Sequence, residues 1–398
     1  MALDKETIII AIKHEKCAIS RSVFEMLLEN SIAYSDSNFL DALEHGRVQF
    51  ATLRQLAEKT RVPLPLFFAP EDFVKSQIKQ QNDILIANYT NQTIYMNSRN
   101  SLDVRDIQLI VKDLIQKRET IKRLYKPIPD NNITGSLKRR GLSIQDDATK
   151  LSKLLGFHIE HFRSYREKED AFRYIVELAE QSRIYVSRTQ QHVMPQRITK
   201  PSFSGFLLKD RKIPYIFLAN NSNGEFEEVA GRRIFTLLLL IVMLARGIYQ
   251  PVALSDVENE SSDSYEYDLV GEILLPKEDL IKADPVGLEE MKTLASECKV
   301  TPSMVVVRCQ RVGLISKEAR MQLLDELREE WENSTSHYRR NPSRWNQVLR
   351  YSGHEFTRQM FSALEKGKIS RPDFLRIATL NKLTSKQISS LQEAAYGH

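Results

Sequence analysis

The run Ile234–Ala245, IFTLLLLIVMLA, constrains this chain more than any other feature, and Thr236 is its only polar residue. A helix needs about 20 apolar residues to cross a bilayer, whereas a run of about 10–14 is the length of a helix buried in a protein core. Residues 224–250 therefore predict a core helix, and no membrane association is expected.

The remaining composition agrees with a chain that buries a core. At 398 residues it has room for about two to four domains. Hydrophobic residues make up 42% and charged residues 27%, which argues against long disorder. The net charge of +5 permits contact with nucleic acid without specifying it. The three cysteines, Cys17, Cys298 and Cys309, form no C-x-x-C pair, so a disulfide framework is not expected and a reducing cytoplasm fits. The opening MALDKETIIIAIKHEK has acids before a short apolar run and does not read as a signal peptide.

Apolar periodicity divides the chain into four segments. Residues 1–75 read as short helices, with Phe39, Leu40, Leu43, Leu53, Leu56 and Ala57 at helical spacing. Gly46 stops one helix, Pro63 bounds the next, and Phe67 and Phe68 are placed to close the small core. Residues 76–145 read as a helical linker, with a stripe from Val104 to Leu124 and Pro127 and Pro129 after it. Within 146–316, DDATKLSKLLGF predicts a helix closed by Gly156, and AFRYIVELAEQSRIYVS a helix running into a strand. FSGFLLKDRKIPYIFLA predicts two strands joined by a polar turn at Asp210, Arg211 and Lys212. Residues 317–398 continue an all-helical stretch that begins at 277. The predicted class is α+β, mostly α.

Several charged runs have both a functional and an ordinary reading. Lys112, Lys117, Arg118, Lys122 and Arg123 form a basic face on the linker helix, as do Lys138, Arg139 and Arg140 beyond it; such runs are usually solvated helix faces. Residues 256–268 hold six acids and no base, suited to a basic partner or simply to a solvated loop. In YRRNPSRW, Arg339, Arg340 and Arg344 alternate with Tyr338 and Trp345, a composition suited to a protein interface or to an inter-helix loop.

Two stretches resemble known families. ALEHG at 42–46 followed by FATLRQLAEKTRVPLPLFF at 50–68 resembles the Xre-type helix-turn-helix. The resemblance implies a lambda-repressor-like helical domain in 1–75 that places a helix in the DNA major groove. Ser37, Asn38 and His45 would reach base edges, and Arg47, Arg54, Lys59 and Arg61 would contact phosphates. Against this, Asp36 and Glu44 repel phosphate; packing or dimerisation is the alternative use of such a domain.

Residues 146–316 resemble the ImmA/IrrE metallopeptidase family. The order of elements matches: DDATKLSKLLGF, the hairpin ending IPYIFLANN, RRIFTLLLLIVMLARG, GEILLP, and LASECKVTPSMVVVRCQRVGLIS. RYSGHEFTRQMFSALEKGKISRPDFLRIATL at 350–380 also resembles that family's C-terminal pattern. The resemblance implies a zincin-like domain with a small sheet, in which a His-Glu-x-x-His helix holds zinc. Phe235, Thr236 and Leu237 match that helix, but Leu239 stands at the first His, Leu240 at the Glu and Met243 at the second His. A hydrolytic zinc needs about three ligands with lone pairs, and two histidines four apart share one helix face with the Glu as general base. Leucine has no lone pair and a thioether is a poor zinc ligand. Glu266 or Asp263 occupies the region of the third ligand, and neither holds a hydrolytic zinc alone. No metal, cofactor or catalytic residue is therefore expected, and the vacated pocket is expected to be dry. His354-Glu355 lacks a second ligand at Arg358, and His158 and His161 lack a supporting cluster.

The combination implies a pseudo-peptidase regulator of a toxin–antitoxin or phage-defence system. Its expected partners are a toxin or defence effector and operator DNA, with Arg339, Arg340, Arg344 and Trp345 at the protein contact and a homodimer as a further expectation. Three alternatives stay open: a repressor without a protein partner, a zinc peptidase with atypical ligands, and a sensor of a phage protein.

Overall fold

The computed structural model describes residues 6–12, 15–29, 31, 33, 36–88, 104–196, 198, 203–219, 229–249, 252–253, 265–333 and 342–397. Among these residues the chain is mostly helical with two small mixed sheets. No described helix is long and apolar enough to cross a membrane. The chain divides into two compact units, Met1–Tyr95 with Ser101–Gln116 and Pro195–Ile198, and Met96–Asn100 with Lys117–Met194 and Thr199–His398. The four segments drawn from periodicity thus become two units, and the division falls within one helix.

The first unit begins with strands β1 (Thr7–Ile12) and β2 (Glu15–Ser20), then helices α1 (Arg21–Glu29) and α2 (Ser37–His45). Strand β3 (Arg47–Gln49), helix α3 (Phe50–Thr60), a 3-10 turn at Leu64–Phe68, helix α4 (Glu71–Asn88) and the start of helix α5 (Val104–Leu124) follow. The expected all-helical, lambda-repressor-like unit is corrected here: β1 pairs antiparallel with β2 and parallel with β3. The cause lies in Thr7–Ile12, where Ile8 and Ile10 are buried and Thr7, Ile9 and Ala11 are less so. That alternation has the period of a strand, and β-branched isoleucine fits a pleated, half-buried surface. Phe24 centres the core, its ring 5.6 Å from Phe39 and 6.1 Å from Phe67. Phe67 is buried as expected, whereas Phe68 is exposed. Gly46 ends α2 at φ 60°, a left-handed conformation that glycine adopts at no steric cost.

The second unit takes the end of α5 and then α6 (Ile144–Leu155), α7 (Ile159–Ser164), α8 (Lys168–Gln181) and β4 (Tyr185–Arg188). Strands β5 (Phe203–Leu208) and β6 (Tyr215–Leu218), helix α9 (Ala230–Arg246) and β7 (Val252–Ala253) complete the sheet region. Among the described residues nine helices come after: α10 (Tyr265–Leu274), α11 (Lys277–Ala283), α12 (Leu288–Glu297), α13 (Pro302–Val312), α14 (Lys317–Asn333), α15 (Arg344–Ser352), α16 (His354–Glu365), α17 (Arg371–Ala378) and α18 (Ser385–Tyr396). The strands lie in the order β4-β6-β5-β7. β5 and β6 form the antiparallel pair that the polar turn predicts, and β4 runs parallel to β6.

Helix α9 is buried from Arg233 to Ala245 without a break. It packs on α8, α10 and strands β5 and β6, which accounts for a helix apolar on every side. The sheet reaches it closely at Gly205 of β5. A Cβ there would lie 2.7 Å from Leu240 Cδ1 and 2.7 Å from the Phe217 carbonyl oxygen.

The basic face expected on α5 is largely internal, a second correction. Lys117 is fully buried; its Nζ lies 4.1 Å from the centroid of the Tyr351 ring and donates to Ser352 Oγ at 3.1 Å. Arg118 is buried and donates to the Lys209 carbonyl at 3.1 Å, with Asp210 3.5 Å from its Nε. Lys112 is partly buried and its ammonium is held below its usual range, by burial first and then by Arg61. Of the five, only Arg123 is exposed. Lysine and arginine stems are long enough to bury hydrocarbon while their heads find an acceptor or an aromatic face, so a stripe of charges does not by itself identify the wet side of a helix.

Gly205→Ala should destabilise the protein by about 1–3 kcal/mol through overpacking, measured as a drop in the denaturant midpoint. In a Leu240→Ala background the loss should shrink but not vanish, because the Phe217 carbonyl belongs to the backbone and cannot retreat.

Candidate functional site

Three places carry the candidate residues. The first is the middle of α9. Leu239, Leu240 and Met243 are all buried, at 1%, 0% and 8% exposure, so hydrocarbon fills the positions where the family resemblance would put zinc ligands. Glu266, near the expected third ligand, is instead paired with Arg246 at 3.1 Å; Asp263 lies outside the described residues. The residues present do not fit a zinc ion: two leucines offer no donor, the thioether is soft, and the nearby carboxylate is already engaged. Among the described residues no group of three or more His, Cys, Asp or Glu is placed to hold a metal.

The second place is the surface of α2 and α3. Ser37 and Asn38 open α2, where the Asp36 side chain caps the helix by accepting from the Asn38 amide at 2.9 Å. Asn38 and His45 stand seven residues apart, two turns, and so share one face about 10 Å long. Both are exposed, as are Ser37, Arg47 and Arg54. Not every cation there is available to phosphate. Arg54 pairs with Glu58 at 3.6 Å, Lys59 pairs with Asp36, and Arg61 lies 3.8 Å from Asp113. Arg47 has no ion-pair partner among the described residues. His45 Nδ1 lies 3.1 Å from the Asp41 carboxylate, so the same face also carries an acid.

Of the expected protein-contact residues, Arg339 and Arg340 lie outside the described residues. Arg344 opens α15 and donates to the His192 carbonyl at 3.2 Å, so it works partly within its own unit; Trp345 beside it is half-buried. Glu266 and Asp268, the end of the acidic run, pair with Arg246 and Arg311.

The third place was not legible in the sequence. It lies where β4 and α8 meet α15 and α16. Ser187 Oγ donates to the Tyr351 carbonyl at 2.6 Å, and Tyr185 Oη donates to Gln359 Oε1 at 2.7 Å. Glu180, at the end of α8, accepts from the backbone amides of His354 at 3.2 Å and Glu355 at 2.8 Å. Gly353 lets it approach: a Cβ there would sit 2.7 Å from Glu180 Oε1, and φ is 90°. Arg188 ends β4 at 6% exposure, with its Cζ 5.5 Å from the centre of the Phe172 ring. Arg233, from the first turns of α9, lies 4.9 Å from the same ring and donates to Glu169 at 3.2 Å.

Burial dominates the titration of this cluster. It pushes the Glu180 carboxyl up to about 7, with the Glu355 amide pulling the other way. Burial, followed by repulsion from Arg188, holds His354 down to about 4. Burial and then Arg350 lower Arg188 to about 10. The one available signal was a basic residue ending the short strand YVSR, which alternation alone does not distinguish from a strand terminus facing water.

The two shifts at the start of α16 act on stability with opposite signs. Folded Glu180 holds its proton from its ordinary 4.5 up to about 7, so its contribution is lost as pH rises through that window. Folded His354 stays neutral from its ordinary 6.5 down to about 4, so its contribution is lost as pH falls. Relative to the native chain, the stability of Glu180→Gln should climb more steeply between about pH 4.5 and 7, and that of His354→Asn less steeply between about pH 4 and 6.5. Denaturant unfolding across a pH series reads both slopes.

No family model, curated protein or solved structure matches the chain.

Proposed function

We propose that this chain is a non-catalytic regulator. In this reading the second unit captures a protein partner, a toxin or defence effector as the family resemblance implies, and makes the chain its antitoxin or immunity protein. The first unit binds operator DNA. The observation that supports a binding role over a hydrolytic one is the burial of Leu239, Leu240 and Met243 along α9. A hydrolase of the resembling family needs two imidazoles and a carboxylate there to hold zinc and activate water. Three buried apolar side chains of this kind each stabilise the fold by about 1.5–3 kcal/mol instead.

The operator-binding part rests on the exposed face of α2 and on Arg47. Asn38 offers the amide that pairs with adenine edges, and His45 stands on the same face. Arg47 follows directly after Gly46 and supplies a cation for phosphate.

Two measurements test the two parts. The purified chain should carry no stoichiometric zinc, show no chelator-sensitive proteolysis, and co-purify with the product of the adjacent gene. One zinc per chain with chelator-sensitive cleavage would overturn the reading. For DNA upstream of its own gene, Arg47→Ala should weaken binding of all sequences alike and reduce the slope of log K against log salt by about one unit. Asn38→Ala should weaken operator binding by about 1–3 kcal/mol while leaving binding to unrelated DNA unchanged; equal losses on both would remove α2 from base readout.

A further inference from the structure

Two exposed features of the second unit stand outside the regulator reading and carry opposite charge. The first is the loop 138–142. Its base is pinned to the end of α9: the Gly135 amide donates to the Leu244 carbonyl at 3.0 Å, and the Leu137 amide to the Ala245 carbonyl at 2.9 Å. Its far side is held by the Gly141 amide, which donates to Asp147 Oδ1 at 3.0 Å. Between these anchors Lys138, Arg139 and Arg140 are exposed, with no ion-pair partner among the described residues. Arg140 has its Cζ 4.2 Å from the centre of the Tyr265 ring. Leu142, beside them, is fully exposed.

The second feature is the end of α14. Leu324 and Leu327 pack partly buried against the core, and Trp331 continues their stripe on the same helix face, four residues after Leu327. Trp331 is nevertheless 62% exposed. The charge around it is acidic. Glu329, Glu330 and Glu332 stand at the C-terminal end of the helix, where the helix dipole is itself negative, and no base lies in the last turn. Lys292 meets Glu330 at 2.7 Å. Glu326, Glu329 and Glu332 are exposed and have no ion-pair partner among the described residues. A helix end of this kind is unfavourable alone and becomes favourable against a cation from outside.

We propose that these two surfaces meet between two copies of the chain, the α14 end of one seated on loop 138–142 of the other. Lys138, Arg139 and Arg140 then face Glu326, Glu329 and Glu332, matching charge for charge. Trp331 offers its ring to an arginine and packs with Leu142, and tryptophan is among the residues that most often anchor the centre of a protein interface. A second copy fits better than a foreign protein because it brings both halves in equal number. A wholly basic or wholly acidic partner would cover one surface and leave the other bare. Reciprocal contacts about a two-fold axis close the pair as a dimer.

The test is the mass of the full chain by sedimentation equilibrium, over a concentration series at low and at high salt. At low salt the mass should climb toward that of a dimer. At high salt the dissociation constant should rise tenfold or more, because exposed charges are screened. Lys138→Glu combined with Arg139→Glu should leave the chain monomeric, and so should Glu329→Lys combined with Glu332→Lys. Both double variants should unfold close to the native midpoint, since all four positions are exposed. An equimolar mixture of the two should recover the dimer, because one is then acidic at both surfaces and the other basic at both. Trp331→Ala should weaken association tenfold or more with the charges intact, and it decides in place of the α14 double variant should that one fail to fold. A native chain that stays monomeric at low salt overturns the proposal. A dimer indifferent to both double variants overturns it by placing the interface elsewhere. A mixture that stays monomeric overturns it too, and assigns the two surfaces to foreign proteins.

Discussion

Everything in the second unit is arranged around the burial of α9. A helix with hydrocarbon on all sides is unstable until every side is covered, and the strands β5 and β6 with helices α8 and α10 supply that cover. The contact is close enough that Gly205 of β5 has no room for a side chain beside Leu240. The same burial decides the chemistry of the helix. Donor atoms at 239, 240 and 243 would each have needed a metal or a partner in that environment, and leucine and methionine need neither.

Polar groups inside the unit follow a different rule. They join parts of the chain that are far apart in sequence. Glu180 on α8 holds the first amides of α16, Ser187 on β4 holds the Tyr351 carbonyl, and Lys117 on α5 reaches Ser352. Such bonds are modest in net energy but costly to leave half-made. They fix the C-terminal helices to β4, which is why residues 317–398 belong to the same compact unit as the sheet rather than to a separate segment.

Much of the architecture was legible in the residues. The core helix, the β5–β6 hairpin with its polar turn, the α8-to-β4 transition, and the glycine stops at 46 and 156 all follow from local patterns. Local conformational preference and hydrophobic period act over a few residues, so the sequence displays them directly. The absence of zinc donors in α9 also needed only the residue types at 239, 240 and 243. Two readings went astray for physical reasons. In Thr7–Ile12 the strand alternation is short, and pairing with the distant β3 completes it. On α5, hydropathy assigns lysine and arginine to water, while Tyr351, Ser352 and Asp210 offer their heads partners inside.

The sequence by itself determined the α9 core helix, the β5–β6 hairpin and the glycine stops at 46 and 156, and that positions 239, 240 and 243 carry two leucines and a methionine, because these depend on neighbours in the chain and on side-chain identity. Only the tertiary structure decided which charges are wet and which are enclosed. It drew the Glu180 carboxyl onto the amides of a helix 174 residues away. Burial and charge proximity are properties of the assembled core, and no window of local sequence contains them.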